Sequence, residues 1–212
     1  MADPRTPESA AQVYDDLGQV YEDAFGHQPA VGTALDHLLT LLPVRARVLD
    51  LGSGTGSPVA VTVAAAGHDV TGYDVSEKMV GLARTRVPGA RFERADMLTL
   101  DFSDGSWDAV LSFFSMLQLP LCDQAAMLTR LARWLAPGGY FVLATVPSDK
   151  DGRMGEWMGH WVQTFSYGLP ALRQCIESSG LRIVREDLVD FVPASDKADP
   201  EPQVYLTARK QI

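Results

Sequence analysis

The pattern of apolar and polar positions along the chain changes near Arg47, and this change divides the sequence into two predicted parts. Between residues 10 and 42, apolar and aromatic residues recur at helical spacing, in two segments broken around Gly26 to Pro29. From Arg47 onward, short apolar runs typical of strands alternate with helical stretches. The sequence therefore predicts a helical N-terminal cap, residues 1–42, followed by an α/β domain.

Apolar runs with strand character follow one another after the cap, separated by helical stretches, which predicts parallel strands joined by right-handed crossovers. These runs are RVLDL, DVTGYD, RFERAD, WDAVLSFF and GGYFVLATV. Two further runs, LRIVREDLVDF and QVYLTARK, are separated by an acidic, proline-rich loop too short for a crossover helix, so they should pair antiparallel. The predicted fold class is therefore α/β, with a doubly wound sheet that ends in a hairpin.

We expect one domain over residues 1–212, because neither a repeat nor a linker interrupts the chain. Within it, residues 43–146 carry the alternating strands and helices. A stretch rich in glycine, methionine and tryptophan, residues 147–167, is predicted to be irregular and to form a lid on the ligand side. Residues 168–212 complete the domain with a helix and the final hairpin.

Composition narrows the class of partner. A formal net charge of -9 argues against nucleic acid, because nucleic-acid affinity comes largely from lysine and arginine. The two cysteines, Cys122 and Cys175, lack CxxC or Cys/His spacing, so no metal site is predicted. The chain does not open with a basic segment and an apolar run, and no run reaches about 18 apolar residues, so we expect a cytoplasmic protein without a membrane span.

A glycine-rich turn follows the first predicted strand, in the segment VLDLGSGTG. Gly52, Gly54 and Gly56 lack a Cβ, so a ligand can approach the backbone of this turn closely. On its own, such a turn is common structural punctuation. Asp74 favours a nucleotide-type ligand, because it ends the next strand, where a carboxylate can accept hydrogen bonds from ribose hydroxyls. The alternative is that Asp74 caps the following helix, although Ser76 can serve as that cap.

A further acidic residue, Asp96, ends the third predicted strand in the run Ala95-Asp96-Met97. From this position a carboxylate or a neighbouring backbone amide can contact the edge of an adenine ring. The alternative is an aspartate in a surface turn without a ligand.

Several ordered motifs resemble the class I S-adenosylmethionine-dependent methyltransferases, in the branch that acts on small molecules. They are VLDLGSGTG, GYD, RAD and LAPGGYFVLATV, and the resemblance covers residues 48–146. It implies a Rossmann-like, seven-stranded sheet of order 3-2-1-4-5-7-6 with the last strand antiparallel, in agreement with the predicted hairpin. It also implies S-adenosyl-L-methionine as cofactor, S-adenosyl-L-homocysteine as product and a small-molecule substrate. The oligomeric state is left open.

The resemblance also implies which residues contact the cofactor. Asp50 and the glycine turn would flank the methionine moiety, and Asp74 would hold the ribose diol. Residues of the next two turns would pack near the ribose and contact adenine. The full implied set is Tyr14, Tyr21, Asp50, Gly52, Ser53, Gly54, Gly56, Asp74, Val75, Met79, Ala95, Asp96, Met97, Phe113 and Leu117.

Some members of this set have a structural alternative. Tyr14 and Tyr21 lie seven positions apart on the predicted cap helix and resemble tyrosines that close over the ligands of related enzymes. A core-facing stripe would show the same spacing. Plain core packing is likewise the alternative for Phe113 and Leu117.

The predicted acceptor side carries few groups that can accept a proton. Methyl transfer from a sulfonium depends chiefly on alignment, and a base is needed only when the acceptor must lose a proton. His160 is the best candidate base, because it follows the fifth strand and so emerges at the carboxyl edge of the sheet; a structural histidine is the alternative. Gln118, Trp157 and Trp161 are predicted to contact the acceptor together with His160.

Other functions share parts of this pattern. An NAD(P)-dependent oxidoreductase has a similar turn, but its GxGxxG fingerprint would need a third glycine at Ser57. A non-catalytic protein that binds S-adenosylmethionine or S-adenosylhomocysteine would carry the same cofactor motif, and the sequence does not separate it from an enzyme. A methyltransferase acting on flipped bases is disfavoured, because no Asn-Pro-Pro-Tyr type motif follows the fourth strand.

Overall fold

The computed structural model describes residues 6–211, apart from the side chain of Lys150. The ends of the predicted domain, residues 1–5 and 212, lie outside the described residues. Within the described part, a helical cap is followed by alternating strands and helices, as the change of pattern predicted. In that same part, no helix is both long and apolar enough to cross a membrane.

Three helices form the cap. They are α1 (Ala10–Leu17), α2 (Gln19–Phe25) and α3 (Pro29–Leu41). The sequence pattern predicted two segments and missed the break at Gly18, whose backbone N–H closes α1 by donating to the carbonyl of Tyr14 (3.0 Å). Tyr14 and Tyr21 therefore lie on two helices rather than on one, and their rings meet edge to face at 5.3 Å between centroids.

A seven-stranded sheet forms the centre of the domain. Its strands are β1 (Arg47–Leu51), β2 (Asp69–Asp74), β3 (Arg91–Arg94), β4 (Trp107–Phe113), β5 (Leu135–Thr145), β8 (Leu181–Phe191) and β9 (Glu201–Lys210). The order is β3-β2-β1-β4-β5-β9-β8, and β9 pairs antiparallel with both of its neighbours. Counted within this sheet alone, the order is the predicted 3-2-1-4-5-7-6 with the last strand antiparallel, so the fold class is confirmed.

Helices cover both faces of the sheet. The remaining elements are α4 (Val59–Ala65), α5 (Glu77–Arg86), α6 (Leu121–Trp134), α7 (Leu169–Ser178) and a short 3-10 turn at Met97–Thr99. Consecutive residues of β1 serve opposite faces: Val48 is buried with α3, α4 and α5, and Leu49 is buried with α6 and α7. Because both faces are covered, the central strands read as nearly continuous apolar runs.

The stretch that the sequence analysis predicted to be irregular forms a two-stranded antiparallel sheet instead. This hairpin consists of β6 (Lys150–Trp157) and β7 (His160–Ser166). Met158 and Gly159 between the strands both have positive φ, 52° and 83°, as a type I′ hairpin turn requires. The pattern did not reveal the turn, because methionine rarely adopts this conformation and a turn signal normally carries asparagine or aspartate in its place.

The cap and the hairpin share a small apolar core. Val13 and Leu17 of α1 and Phe25 of α2 are buried in one cluster with Met158 and Val162 of the hairpin. Burying side chains of this size contributes about 1.5 to 3 kcal/mol each. The cap and the hairpin therefore hold each other in place.

Polar contacts tie the cap to the loop that follows β2. The hydroxyl of Ser76 donates to Oδ1 of Asp15 on α1 (2.5 Å) and accepts from the N–H of Met79, so Ser76 is the N-cap of α5 as predicted. Arg86 of α5 pairs with Glu22 of α2. These contacts place α1 and α2 above the carboxyl ends of β1 and β2.

Candidate active site

Two adjoining cavities lie at the carboxyl ends of the parallel strands, where ligands bind in doubly wound sheets. We call the smaller, of about 610 Å³, the turn cavity, because Gly52 and Gly54 line it. The larger, of about 990 Å³, is the hairpin cavity, because β6 and β7 supply part of its wall. The predicted cofactor residues that line the turn cavity are Tyr14, Tyr21, Gly52, Gly54, Asp74, Val75, Met79, Ala95, Asp96, Met97 and Phe113.

The backbone of the glycine turn lines the turn cavity without intervening side chains at Gly52 and Gly54. Gly52 and Gly54 have positive φ, 70° and 52°. A Cβ on Gly52 would lie 2.2 Å from the Cβ of Ser115, so a side chain at position 52 would force the structure to shift. A Cβ on Gly54 would meet no protein atom within 4 Å, so it would occupy space that is open to a ligand.

The backbone N–H groups of this turn bond to β2 rather than to the cavity. Gly52 and Ser53 donate to the carbonyl of Tyr73 (2.7 and 3.0 Å), and Gly54 donates to Oδ2 of Asp74 (2.9 Å). A dinucleotide site needs N–H groups of the turn and of the following helix to bind a pyrophosphate. Because these three groups are already engaged, the geometry disfavours the oxidoreductase alternative.

The carboxylate of Asp74 accepts hydrogen bonds from two backbone N–H groups and has further acceptor positions free. Its Oδ2 accepts from the N–H of Gly54 and its Oδ1 from the N–H of Ser76, both at 2.9 Å. A carboxylate offers about four lone-pair positions, so about two are left for a ligand in the cavity. Burial raises the pKa of Asp74, and the backbone hydrogen bonds counteract this effect. Since Ser76 caps α5, Asp74 is not needed for that purpose.

The remaining residues implied to contact the cofactor do not line the turn cavity. The side chains of Asp50, near the end of β1, and Ser53, in the turn, are buried, with 1% and 7% exposure, and among the described residues Asp50 Oδ2 and Ser53 Oγ have no hydrogen-bond partner. Gly56 packs against Ala83 of α5. Leu117 lines the hairpin cavity instead. Since none of these residues is among those that line the turn cavity, their implied contact with the cofactor stays a prediction.

Four residues line both cavities and form a neck between them: Tyr14, Tyr21, Phe114 and Gln118. Phe114 has φ 56°, a strained conformation for an aromatic residue, and is held there by its N–H bond to the carbonyl of Ala144 (2.8 Å). Gln118, which was predicted on the acceptor side, has a buried Oε1 with no partner in the described part of the chain. The neck is therefore lined by three aromatic side chains and by one amide whose oxygen finds no partner in that part of the chain.

Sequence reasoning missed most of the hairpin cavity. Trp157 was predicted there and lines it. Gln28, Arg153, Glu201 and Gln203 also line it, and they come from the cap, the hairpin and β9. No motif joins these residues in the sequence, because the cap, the hairpin and β9 are distant from one another along the chain.

Comparison with known proteins identifies the family. Residues 48–139 match the family model described as a methyltransferase domain. The demethylmenaquinone methyltransferase of Beutenbergia cavernae is 31% identical over 168 residues, which cover 76% of this chain and 68% of that protein. The chain belongs to the class I S-adenosylmethionine-dependent methyltransferases.

Further similarities agree with this family. The 27-O-demethylrifamycin SV methyltransferase of Amycolatopsis mediterranei is 31% identical over 160 residues, covering 65% of this chain and 58% of that protein. The match covers only 35%, 58% and 51% of the length of three of the curated relatives. The crystal structure of the [4+2]-cyclase SpnF has a TM-score of 0.73 at 19% identity, covering 98% of this chain and 97% of that one, which shows a shared fold alone.

The turn cavity of this methyltransferase fits a nucleoside that carries a positively charged amino acid end. Asp74 has acceptor positions left for ribose hydroxyls, and Gly54 leaves room against the backbone. Burial, and then the negative charge of Asp74, raises the pKa of Asp50 to about 7. The buried carboxylate of Asp50, one oxygen of which has no partner among the described residues, favours a cation near the turn. The residues present therefore suit S-adenosylmethionine.

His160 and Trp161 are not among the residues that line either cavity, so their predicted contact with the acceptor gains no support from the cavities. Nδ1 of His160 is hydrogen-bonded to Oε2 of Glu8 (2.9 Å). Glu8 also accepts from the N–H of Trp161 (3.1 Å) and donates its own N–H to the carbonyl of Trp161 (2.8 Å). His160 is thus placed to anchor the N-terminal segment, and its position does not favour proton transfer from an acceptor.

We expect the Glu8 anchor to slow release of the cofactor, because residues 7–12 line the turn cavity. Glu8→Ala should raise the dissociation rate of S-adenosylhomocysteine several-fold, as measured by stopped-flow fluorescence. The hydrogen bond from His160 lowers the pKa of Glu8, so the anchor is intact at neutral pH and is lost as the pH falls through that pKa. Glu177→Ala, at an exposed position on α7, is the control. Equal rates for both variants would contradict the expectation.

Proposed function

We propose that this protein transfers a methyl group from S-adenosylmethionine to a small-molecule acceptor bound in the hairpin cavity. The observation that carries the proposal is the neck, because its residues line both cavities. A cofactor held at Asp74 and an acceptor in the hairpin cavity can meet there. Separate but contiguous sites are what a transfer between two ligands requires.

Methyl transfer depends more on the alignment of the two reactants than on acid or base groups. When bound, S-adenosylmethionine supplies a methyl group on a positively charged sulfur, which is a good leaving group. Holding two reactants in line can lower the barrier by roughly 7 to 11 kcal/mol. Tyr14, Tyr21 and the strained Phe114 line both cavities, so these rings flank the path between the two ligands in this proposal.

The relatives support a small molecule as acceptor. Demethylmenaquinone and 27-O-demethylrifamycin SV are the compounds for which two of them are named. A net charge of -9 is consistent with an acceptor other than nucleic acid. The volume of the hairpin cavity, about 990 Å³, is at the upper end of the range for small-molecule sites, roughly 300 to 1,000 Å³.

The proposal is tested by binding and turnover measured on the same preparation. Thermal denaturation should shift upward with S-adenosylmethionine and with S-adenosylhomocysteine. Release of S-adenosylhomocysteine should then depend on an acceptor from a panel of phenols, amines, thiols and quinols. A shift with both nucleosides but no release with a cell-extract acceptor pool would favour the non-catalytic binding protein. The absence of any shift would contradict both functions.

Trp157 is expected to affect the acceptor more than the cofactor. Its ring lies 6.2 Å from those of Tyr14 and Tyr21 and 5.6 Å from that of Phe25, and it lines the hairpin cavity but not the turn cavity. Trp157→Ala should reduce kcat/KM for the acceptor by about 10-fold to 100-fold, the loss expected when a large ring leaves a binding pocket, with little change in cofactor affinity.

Trp161→Ala is the matched control, because Trp161 lies outside both cavities. We expect a smaller loss of kcat/KM for this variant. Equal losses for the two variants, or an equal loss of cofactor affinity and acceptor turnover in Trp157→Ala, would show that Trp157 supports the fold rather than the acceptor.

A further inference from the structure

Glu201 is a half-buried carboxylate on the wall of the hairpin cavity, at the first residue of β9. Its Oε1 accepts a hydrogen bond from Nε2 of Gln203 (3.0 Å). Among the residues that the structure describes, Glu201 has neither a second hydrogen bond nor an ion pair to an arginine, lysine or histidine. One oxygen of this carboxylate is therefore left for a ligand.

Gln203 and Tyr205, which connect to Glu201 through hydrogen bonds, are buried. Gln203 and Tyr205 are only 1% and 2% exposed. The hydroxyl of Tyr205 lies 2.7 Å from Oε1 of Gln203 and 3.1 Å from Oε1 of Gln28. Since Tyr205 donates to Gln203 and Gln203 donates to Glu201, this chain of contacts orients the carboxylate. Such an arrangement restricts its rotamers, which lowers the entropy lost on binding a ligand.

Aromatic rings line the same cavity. Tyr14, Tyr21, Phe25 and Trp157 all line it, with neighbouring ring centroids 5.3 to 6.2 Å apart. Burial raises the pKa values of Tyr14 and Tyr21, and the charge of Glu201 adds to this effect at both phenols. Clustered aromatic faces attract organic cations.

The remaining charges of the hairpin cavity add to a negative field. Its ionisable side chains are four carboxylates and two cations, namely Glu156, Asp196, Asp199 and Glu201 against Arg153 and Lys197. All of these except Glu201 are exposed, so solvent and salt screen them. Glu201 is the charge that a bound acceptor experiences most strongly.

We propose that Glu201 and the aromatic rings around it select acceptors that carry a cationic nitrogen, such as a protonated amine, and reject carboxylates and phosphates. This inference rests on the proposed function, because it assigns the acceptor to the hairpin cavity. A charge-assisted hydrogen bond to the carboxylate and contact with ring faces offset the desolvation of an ammonium group. An anionic group at the same place would be repelled. Recognition of the charge does not require that this nitrogen receives the methyl group.

Three naphthyl probes of matched shape test the inference by direct binding. They are 2-naphthylmethylamine as the cation, 2-naphthylmethanol as the neutral analogue and 2-naphthoate as the anion, measured by ligand-observed NMR at neutral pH with and without S-adenosylhomocysteine. The wild-type protein should bind the cation about tenfold or more tighter than the anion, a difference typical of one charge-assisted contact. Raising the salt concentration should reduce this ratio only in part, since Glu201 is half-buried.

Glu201→Gln keeps the shape and the acceptor oxygen for Gln203 but removes the charge. It should bring the affinities for the cation and the neutral probe to within about twofold of each other, because the charge-assisted contact is lost. Glu177→Gln, which removes one exposed charge on α7, should keep the wild-type preference and so controls for net charge.

Two results with the wild-type protein would overturn the inference. One is that naphthoate binds as tightly as the amine, and the other is that the amine does not bind at millimolar concentration. Retention of the preference by folded Glu201→Gln would also overturn it. If that variant does not fold, the wild-type ratio decides alone. Loss of S-adenosylhomocysteine binding and of turnover would overturn the proposed function instead, since the charge preference is also measured in the absence of S-adenosylhomocysteine and does not depend on turnover.

Discussion

Replacing Asp74 with alanine is expected to weaken binding of S-adenosylmethionine by about 100-fold or more, because hydrogen bonds to a buried charged group contribute about 1.5 to 3 kcal/mol each. Asp74 is 8% exposed and lines the turn cavity. Its remaining acceptor positions suit the two hydroxyls of a ribose. Isothermal titration with S-adenosylmethionine and with S-adenosylhomocysteine measures the effect directly.

The same substitution also removes the acceptors for the N–H groups of Gly54 and Ser76. Some loss of thermal stability is therefore expected, and affinity has to be measured well below the melting temperature. Asp69→Ala is the matched control, because Asp69 is an exposed aspartate at the opposite end of the same strand. Unchanged affinity in a folded Asp74→Ala protein would contradict the assignment of the turn cavity to the nucleoside.

Replacing Asp50 with asparagine is expected to stabilise the ligand-free protein at alkaline pH. Burial, and then the charge of Asp74, raises the pKa of Asp50 to about 7, whereas the pKa of an aspartate in an unfolded chain is about 3.9. Between these values the folded state holds a proton that the unfolded state has released. Stability contributed by this group is therefore lost as the pH rises from about 4 to 7, by up to about 4 kcal/mol.

Urea denaturation at pH 5 and pH 8 tests this expectation. The free energy of unfolding of Asp50→Asn minus that of the wild type should be larger at pH 8 than at pH 5. Asp36→Asn, at an exposed position on α3, should show a similar difference at both pH values. In the wild type, a cationic cofactor should bind more tightly as the pH rises through 7, and this dependence should weaken in Asp50→Asn. Parallel stability profiles for the variant and the wild type would contradict a proton held by Asp50.

The sheet and most of the turn cavity could be predicted from the sequence, because short-range chemistry determines them. Strand β1, the turn at Gly52 and Gly54 and the N-cap Ser76 each depend on residues a few positions apart. Asp74 follows from its place at the end of β2, since parallel strands present their carboxyl ends at one edge of the sheet.

The acceptor side could not be predicted in the same way, because its contacts join distant parts of the chain. The partner of His160 is Glu8, 152 positions earlier in the chain, and no short-range pattern links these two residues. Glu201 lines the same cavity as Tyr14 and Tyr21, although most of the sequence separates it from them. The hairpin turn has methionine at position 158, where a conventional turn carries asparagine or aspartate. The sequence pattern therefore did not predict the hairpin that forms part of the cavity wall.

A crystal structure with bound S-adenosylhomocysteine tests the arrangement of the two cavities most directly. We expect the ribose hydroxyls within hydrogen-bonding distance of the Asp74 carboxylate, and the thioether sulfur at the neck beside Tyr14, Tyr21 and Phe114, facing the hairpin cavity. A nucleoside bound outside the turn cavity, or a sulfur directed away from the neck, would contradict transfer of a methyl group between these two sites.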